Sequence, residues 1–136
     1  MKKIRLILSL LIAVSFFNSI EVSAQASRRL RVVVLTDIEA DPDDTQSMIR
    51  FLLYCNEWDV EGLIATTSIH QQTRVAPESV LKILDAYKKV QPNLIKHEKD
   101  YPSYEQLKPL VKKGLAVYGM NGVGKGKDSE GSNWIV

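Results

Sequence analysis

The chain has 136 residues, 18 of them basic and 16 acidic, and it has one cysteine. That length suits one modest domain, the near balance of charge makes no electrostatic case for a nucleic-acid surface, and a lone cysteine excludes an internal disulfide.

Residues 1–24 are organised as a secretory signal. Lys2, Lys3 and Arg5 form a basic start, Leu6 to Phe17 an uncharged and mostly apolar run, and Val22-Ser23-Ala24 a small-residue exit, with Ala24-Gln25-Ala26 as a second one. The apolar run falls short of the roughly 20 residues that span a bilayer. No cysteine follows it to carry a lipid. Periplasmic or secreted localisation is expected. Cleavage removes three basic residues and one acid, Glu21, leaving fifteen of each. Neither nucleic acid nor membrane is an expected partner of the mature chain. Residues 25–30 read as a short linker before a domain that occupies 31–136.

Val32 to Leu35 is the continuous apolar, β-branched run expected of a parallel strand covered on both faces. Asp37, Glu39, Asp41, Asp43 and Asp44 follow within eight residues. Met48, Ile49, Leu52, Leu53 and Cys55 then recur at helical spacing, with Cys55 as a small core residue on that helix. Asp37 and Glu39 are two apart, so they share one side if the strand continues that far. Asp43 and Asp44 open the helix, which turns them back toward the strand end. Five clustered acids repel one another unless some are protonated or a cation neutralises them. The candidate ligands are all hard oxygens, which favours calcium, a cation that takes roughly six to eight oxygens in loose geometry. The competing reading is helix capping: Asp43 with Gln46 has capping-box spacing, and acids in a first turn suit the helix dipole. It leaves Asp37 and Glu39 unexplained.

Val60 to Thr67 reads as a second strand, made parallel to the first by a right-handed β-α-β connection. Thr66, Thr67, Ser68, Ile69 and His70 then lie beside the acidic turn. Hydroxyls and the His70 imidazole suit contacts to a sugar or base; a plain surface position is the competing reading for His70. Pro77 starts a helix running to about Val90, with Val80, Ile83, Leu84 and Tyr87 on its core face and Gln91-Pro92-Asn93 as its end. His97 reads as solvated. Ser103 with Gln106 gives a capping box for a helix ending at Lys113-Gly114, short or kinked because of Pro109. Leu115 to Gly119 reads as a third strand.

Gly119-Met120-Asn121-Gly122-Val123-Gly124-Lys125 nearly matches a phosphate-binding loop. Gly126 stands where Ser or Thr would hold magnesium, and Lys127 to Gly131 is a poor helix start. A flexible loop over the sheet edge fits better, with Asn121 as its ligand-facing side chain. The predicted architecture is an α/β fold, a Rossmann-like and mainly parallel sheet with flanking helices.

Asp37-Ile38-Glu39-Ala40-Asp41-Pro42-Asp43-Asp44 resembles the amino-terminal signature of the calcium-dependent nucleoside hydrolases, D-x-D-P-G-x-D-D, with its outer acids at the same spacing. Over nearly all of Arg31 to Val136 the chain is similar to secreted nucleoside-hydrolase-like proteins described as cellulose-binding, which carry TDIEADPDD before a QSMIRFLLY-type helix. Carried over by position, this resemblance implies Glu39 and Asp44 as calcium ligands with Asp37 in support. It also implies Glu39 as the base for a metal-bound water and Asp43 as a partner of a sugar hydroxyl. In the hydrolases an Asn usually occupies the loop after the second strand; Gln71 or Gln72 would stand in here. Leu115 to Gly119 resembles their P-V-Y-x-G strand. Glu39 in place of Asp, and Ala40-Asp41 in place of Pro-Gly, depart from the hydrolase pattern. The remaining metal ligands and the leaving-group acid of those enzymes come from later segments, so a truncated, incomplete domain is expected. The implied ligand is a small sugar or nucleoside-like molecule, or a polysaccharide. The implied function is calcium-dependent hydrolysis of an N-glycosidic bond; the alternatives are carbohydrate binding in the same acidic pocket without turnover, and a structural domain whose acids hold calcium.

Overall fold

The computed structural model describes residues 29–136. The expected signal, residues 1–24, and residues 25–28 of the linker lie outside that range. Strand β1 is Leu30–Thr36, helix α1 Pro42–Leu52, strand β2 Trp58–Ala65 and helix α2 Pro77–Leu94. Helix α3, Tyr104–Leu107, leads through a 3-10 turn into strand β3, Val111–Lys113, and helix α4 is Glu130–Ile135. The sheet has the order β1-β2-β3 and both pairings are parallel. This is the predicted α/β, parallel-sheet architecture, incomplete in that the sheet has three strands. No helix among the described residues is long and apolar enough to cross a membrane.

Alternation along the strands divides the molecule into two layers around the sheet. Leu63 faces α1, α2 and α3, where Ile38, Met48, Leu52, Cys55, Val80, Leu84, Tyr87 and Leu107 form one buried cluster. The expected core face of α2 is in that cluster: Val80, Ile83, Leu84 and Tyr87 are all buried. Cys55 is fully buried, in a 3-10 turn just after α1 rather than on the helix, with its Sγ 3.0 Å from the Leu52 carbonyl. Burial pushes its thiol pKa up. Ile64 faces the opposite way, against α4, and Gly131 sits so close that a Cβ there would meet the Ile64 methyl at 2.6 Å.

That second layer is thin, and it corrects the expectation of a strand covered on both faces. Helix α4 packs chiefly on β2 and β3. Leu35, on the same face of β1, is 59% exposed. The pairing of β1 with β2 also slips after Val32, which pairs with Val60 while Val33 pairs with Gly62. Glu61 is therefore bulged out of the ladder. Its carbonyl accepts from Trp134 Nε1 at 2.7 Å and its carboxylate pairs with Arg31.

Three element boundaries differ from the sequence reading. Helix α2 continues through Pro92 to Leu94. The bond that proline cannot make lies in the last turn beside exposed Lys88, where water can satisfy the free carbonyl, so the interior penalty is largely avoided. The Ser103–Gln106 capping box forms as expected, but its helix ends at Leu107 rather than at Lys113-Gly114. Val111–Lys113 then becomes the third strand, and Leu115 to Gly119 does not pair. A lysine-rich triplet gives no apolar signal; Lys112 joins the sheet by laying its Nζ 4.2 Å from the Trp134 ring centroid and 3.3 Å from Glu130 Oε1.

Candidate functional site

A parallel sheet delivers all of its following loops to one end, the carboxyl end of the strands, where α/β folds place their ligands. Here those loops are tied together by main-chain bonds that prolong the ladders. Thr66 N–H donates to the Thr36 carbonyl at 2.7 Å and Gly114 N–H to the Ala65 carbonyl at 2.8 Å. Thr67 Oγ1 reaches the Val117 carbonyl at 3.5 Å.

The acidic segment is a turn and not an extension of β1. Ala40 N–H bonds to the Asp37 carbonyl at 2.9 Å, which closes residues 37–40 into a β-turn. Ile38 drops into the core with no exposure. Glu39 takes φ +77, the left-handed conformation that this turn position requires and that a non-glycine residue adopts at some cost. Asp37 and Glu39 therefore do not share a strand face, which corrects that expectation. The expected Asp43–Gln46 capping box is corrected too. Pro42, with its φ preset for a first helical residue, makes Asp41 the N-cap, and Asp44 Oδ2 accepts from Asp41 N–H at 3.0 Å.

Gln71 locks the turn from the neighbouring loop. Its side-chain amide donates to the Ile38 carbonyl at 3.1 Å and to the Asp37 carbonyl at 3.4 Å. Of the two glutamines weighed for that loop, Gln71 is the one at the acidic turn; Gln72 bonds only to the Ile69 carbonyl of its own loop.

The Glu39 carboxylate points toward the start of α2. One oxygen accepts the Ser79 hydroxyl and the other pairs with Arg74, whose second nitrogen lies 3.0 Å from Glu78 Oε1. The Ser79 hydroxyl first, and then the Arg74 guanidinium and the charge of Lys82, hold the Glu39 carboxyl below the usual carboxylate range. A carboxylate so engaged is a weakened base. Beside it, a largely apolar cleft of about 500 Å³ runs between α1 and α2, with Glu39, Ser79 and Lys82 among its lining residues together with Ile49 and Leu53.

The remaining candidates are spread along the carboxyl end. Asp43 is exposed in the first turn of α1, and Asp44 is half-buried. His70 is exposed in the loop after β2, where its main-chain N–H bonds to Ser68 Oγ at 3.0 Å. Asn121 is exposed in the 3-10 turn Gly119–Gly122 after β3. The structure thus places Asp37, Asp43, Asp44, His70 and Asn121 on loops or helix starts at one end of the sheet, and turns Glu39 aside. The expected calcium set of Asp37, Glu39 and Asp44 does not fit this arrangement. Glu39 is committed to Arg74 and Ser79, and Asp44 to the helix cap. Among the described residues, no three His, Cys, Asp or Glu side chains gather as metal ligands would. Arg74 and Ser79 escaped the sequence reading, although Arg74 stands four residues before Glu78 and Ser79 lies in the first turn of α2, which begins at Pro77.

The profile of one protein family, described as "Cellulose-binding Sde182, nucleoside hydrolase-like domain", matches residues 31–136. A solved structure from Saccharophagus degradans superposes with a TM-score of 0.76 at 45% identity, covering 79% of this chain. It is described as a nucleoside hydrolase-related hypothetical protein associated with carbohydrate metabolism. This chain spans 26% of that one's length. Comparison with curated proteins gives no match. With its profile match over 31–136, its parallel sheet and its acidic turn at the end of β1, the chain belongs to the cellulose-binding Sde182, nucleoside hydrolase-like domain family.

Proposed function

We propose that the chain supplies part of a carbohydrate-binding crevice of an exported protein, at the carboxyl end of its sheet, and that its ligand is a cellulose-type glucan. The observation that carries this reading is the turn 37–40, fixed by Gln71 and by buried Ile38, which leads into α1 and sets exposed Asp43 in its first turn at the carboxyl end of the sheet. Exposed carboxylates and hydroxyls at fixed spacing are what sugar hydroxyls need as partners. The family's description and the carbohydrate association of the Saccharophagus relative agree with it. Asp43, exposed at the start of α1, is assigned to a sugar hydroxyl, and His70 and Asn121 to the crevice rim. The signal-like residues 1–24 support export to the periplasm or beyond.

The test is retention of the intact chain on insoluble cellulose and titration with soluble cello-oligosaccharides. Asp43→Asn is expected to weaken binding about tenfold, the size of one charge-assisted hydrogen bond, with no release of reducing sugar by either protein. Absence of retention, or unchanged affinity in the variant, counts against the reading.

A second reading is calcium-dependent hydrolysis of an N-glycosidic bond of a ribosyl or related sugar. The closeness of Asp37, Asp43 and Asp44 to the end of β1 favours it. It requires Glu39 to leave Arg74 and Ser79 before it can serve as base or ligand. Release of free base from a nucleoside by the full-length protein, abolished by Glu39→Gln, would establish it in place of binding alone.

A further inference from the structure

We propose that Arg74 takes the place of a divalent cation at the acidic turn, so that the native site holds its charge balance without metal. Both oxygens of Glu39 are occupied, one by the Ser79 hydroxyl and one by the Arg74 guanidinium. Arg74 also pairs with Glu78 in the first turn of α2, which anchors the guanidinium over the acidic turn from the α2 side. Lys82 adds a second positive charge facing the same carboxylate. A guanidinium keeps its charge at any physiological pH, and its planar fork suits two carboxylates at once. A calcium ion approaching Glu39 therefore meets one fixed cation at contact distance and another behind it, and it must displace the first. The left-handed turn contributes by aiming Glu39 at the start of α2 instead of along the strand with Asp37. The groups facing this position are Glu39 from the β1–α1 segment, Arg74 from the loop before α2, and Glu78, Ser79 and Lys82 from α2 itself.

This assignment is independent of the glucan reading, because it is read out by cation binding and not by sugar binding. The experiment is calorimetric titration of the intact chain with calcium chloride alone, together with melting curves at increasing calcium, for the native protein and for Arg74→Gln, Arg74→Lys and the double variant Arg74→Gln with Glu39→Gln. Arg74 and Glu39 are exposed, so the fold is expected to survive these changes. The expected result is no calcium response in the native chain or in Arg74→Lys. Arg74→Gln should bind calcium at least ten times more tightly than the native chain, with a rise in melting temperature. That response should vanish in the double variant. An equal calcium response in the native chain and in Arg74→Gln overturns the proposal, as does the absence of any response in Arg74→Gln or its persistence without Glu39.

Discussion

Replacing Ile38 with alanine is expected to lower the unfolding free energy of the intact chain by about 2–5 kcal/mol, the range for a large aliphatic side chain removed from a closed core. Ile38 has no exposed surface and packs with Met48, Leu52 and Val80 under the acidic turn. The cluster it belongs to draws residues from α1, β2 and α2, which cannot all collapse into the space left behind. Chemical denaturation should show the midpoint falling with an unchanged slope. Glucan affinity should fall as well, because Ile38 is the internal anchor of the turn whose carbonyls Gln71 holds from outside. A loss below about 1 kcal/mol would mean that the turn is not seated in the core as described.

Gly114→Ala is the second large effect. A Cβ at this position would meet the Ala65 carbonyl oxygen at 2.6 Å. The same oxygen accepts the Gly114 N–H at 2.8 Å, so the chain cannot back away without giving up the bond that prolongs the β2–β3 ladder. The obstacle is main chain and has no rotamer to change. The expected cost is about 1–3 kcal/mol, as for other forced close contacts. Because the segment after Gly114 carries Val117, which meets Thr67, hydrogen exchange at residues 115–118 should accelerate along with the global change. A variant with native stability and native exchange would refute the close approach.

Much of this fold is legible from residue patterns. Val32 to Leu35, the helical spacing from Met48 and the second apolar run give a parallel β-α-β unit, and Val80, Ile83, Leu84 and Tyr87 mark the core face of α2 correctly. Ser103 and Gln106 cap where their spacing says they should, because a reciprocal cap depends only on local geometry. What the pattern misses are features decided by contacts distant in sequence. Val111–Lys113 has no strand signal of its own and becomes one because an exposed edge tolerates lysines, one of them paired with Glu130. Leu35 looks like a residue buried on both sides, but burial of its face depends on how far α4 reaches. At the candidate site the positions of the acids were legible and the direction of Glu39 was not. An alternating strand would have aimed it with Asp37. The turn closed by Ala40, the glycine-like φ of Glu39 and the arrival of Arg74 and Ser79 from thirty-five and forty residues onward turned it elsewhere.

Cys55 carries a practical consequence. Its sulfur is sealed beneath α2, within 3.5 Å of the Tyr87 hydroxyl, and its ionised form is disfavoured where it sits. An alkylating reagent can reach it only when α1 and α2 part, so the rate of thiol modification measures how often this interior opens. The same seclusion protects the lone thiol from oxidative pairing between molecules. The protein thus contains its own gauge of breathing, requiring no engineered probe.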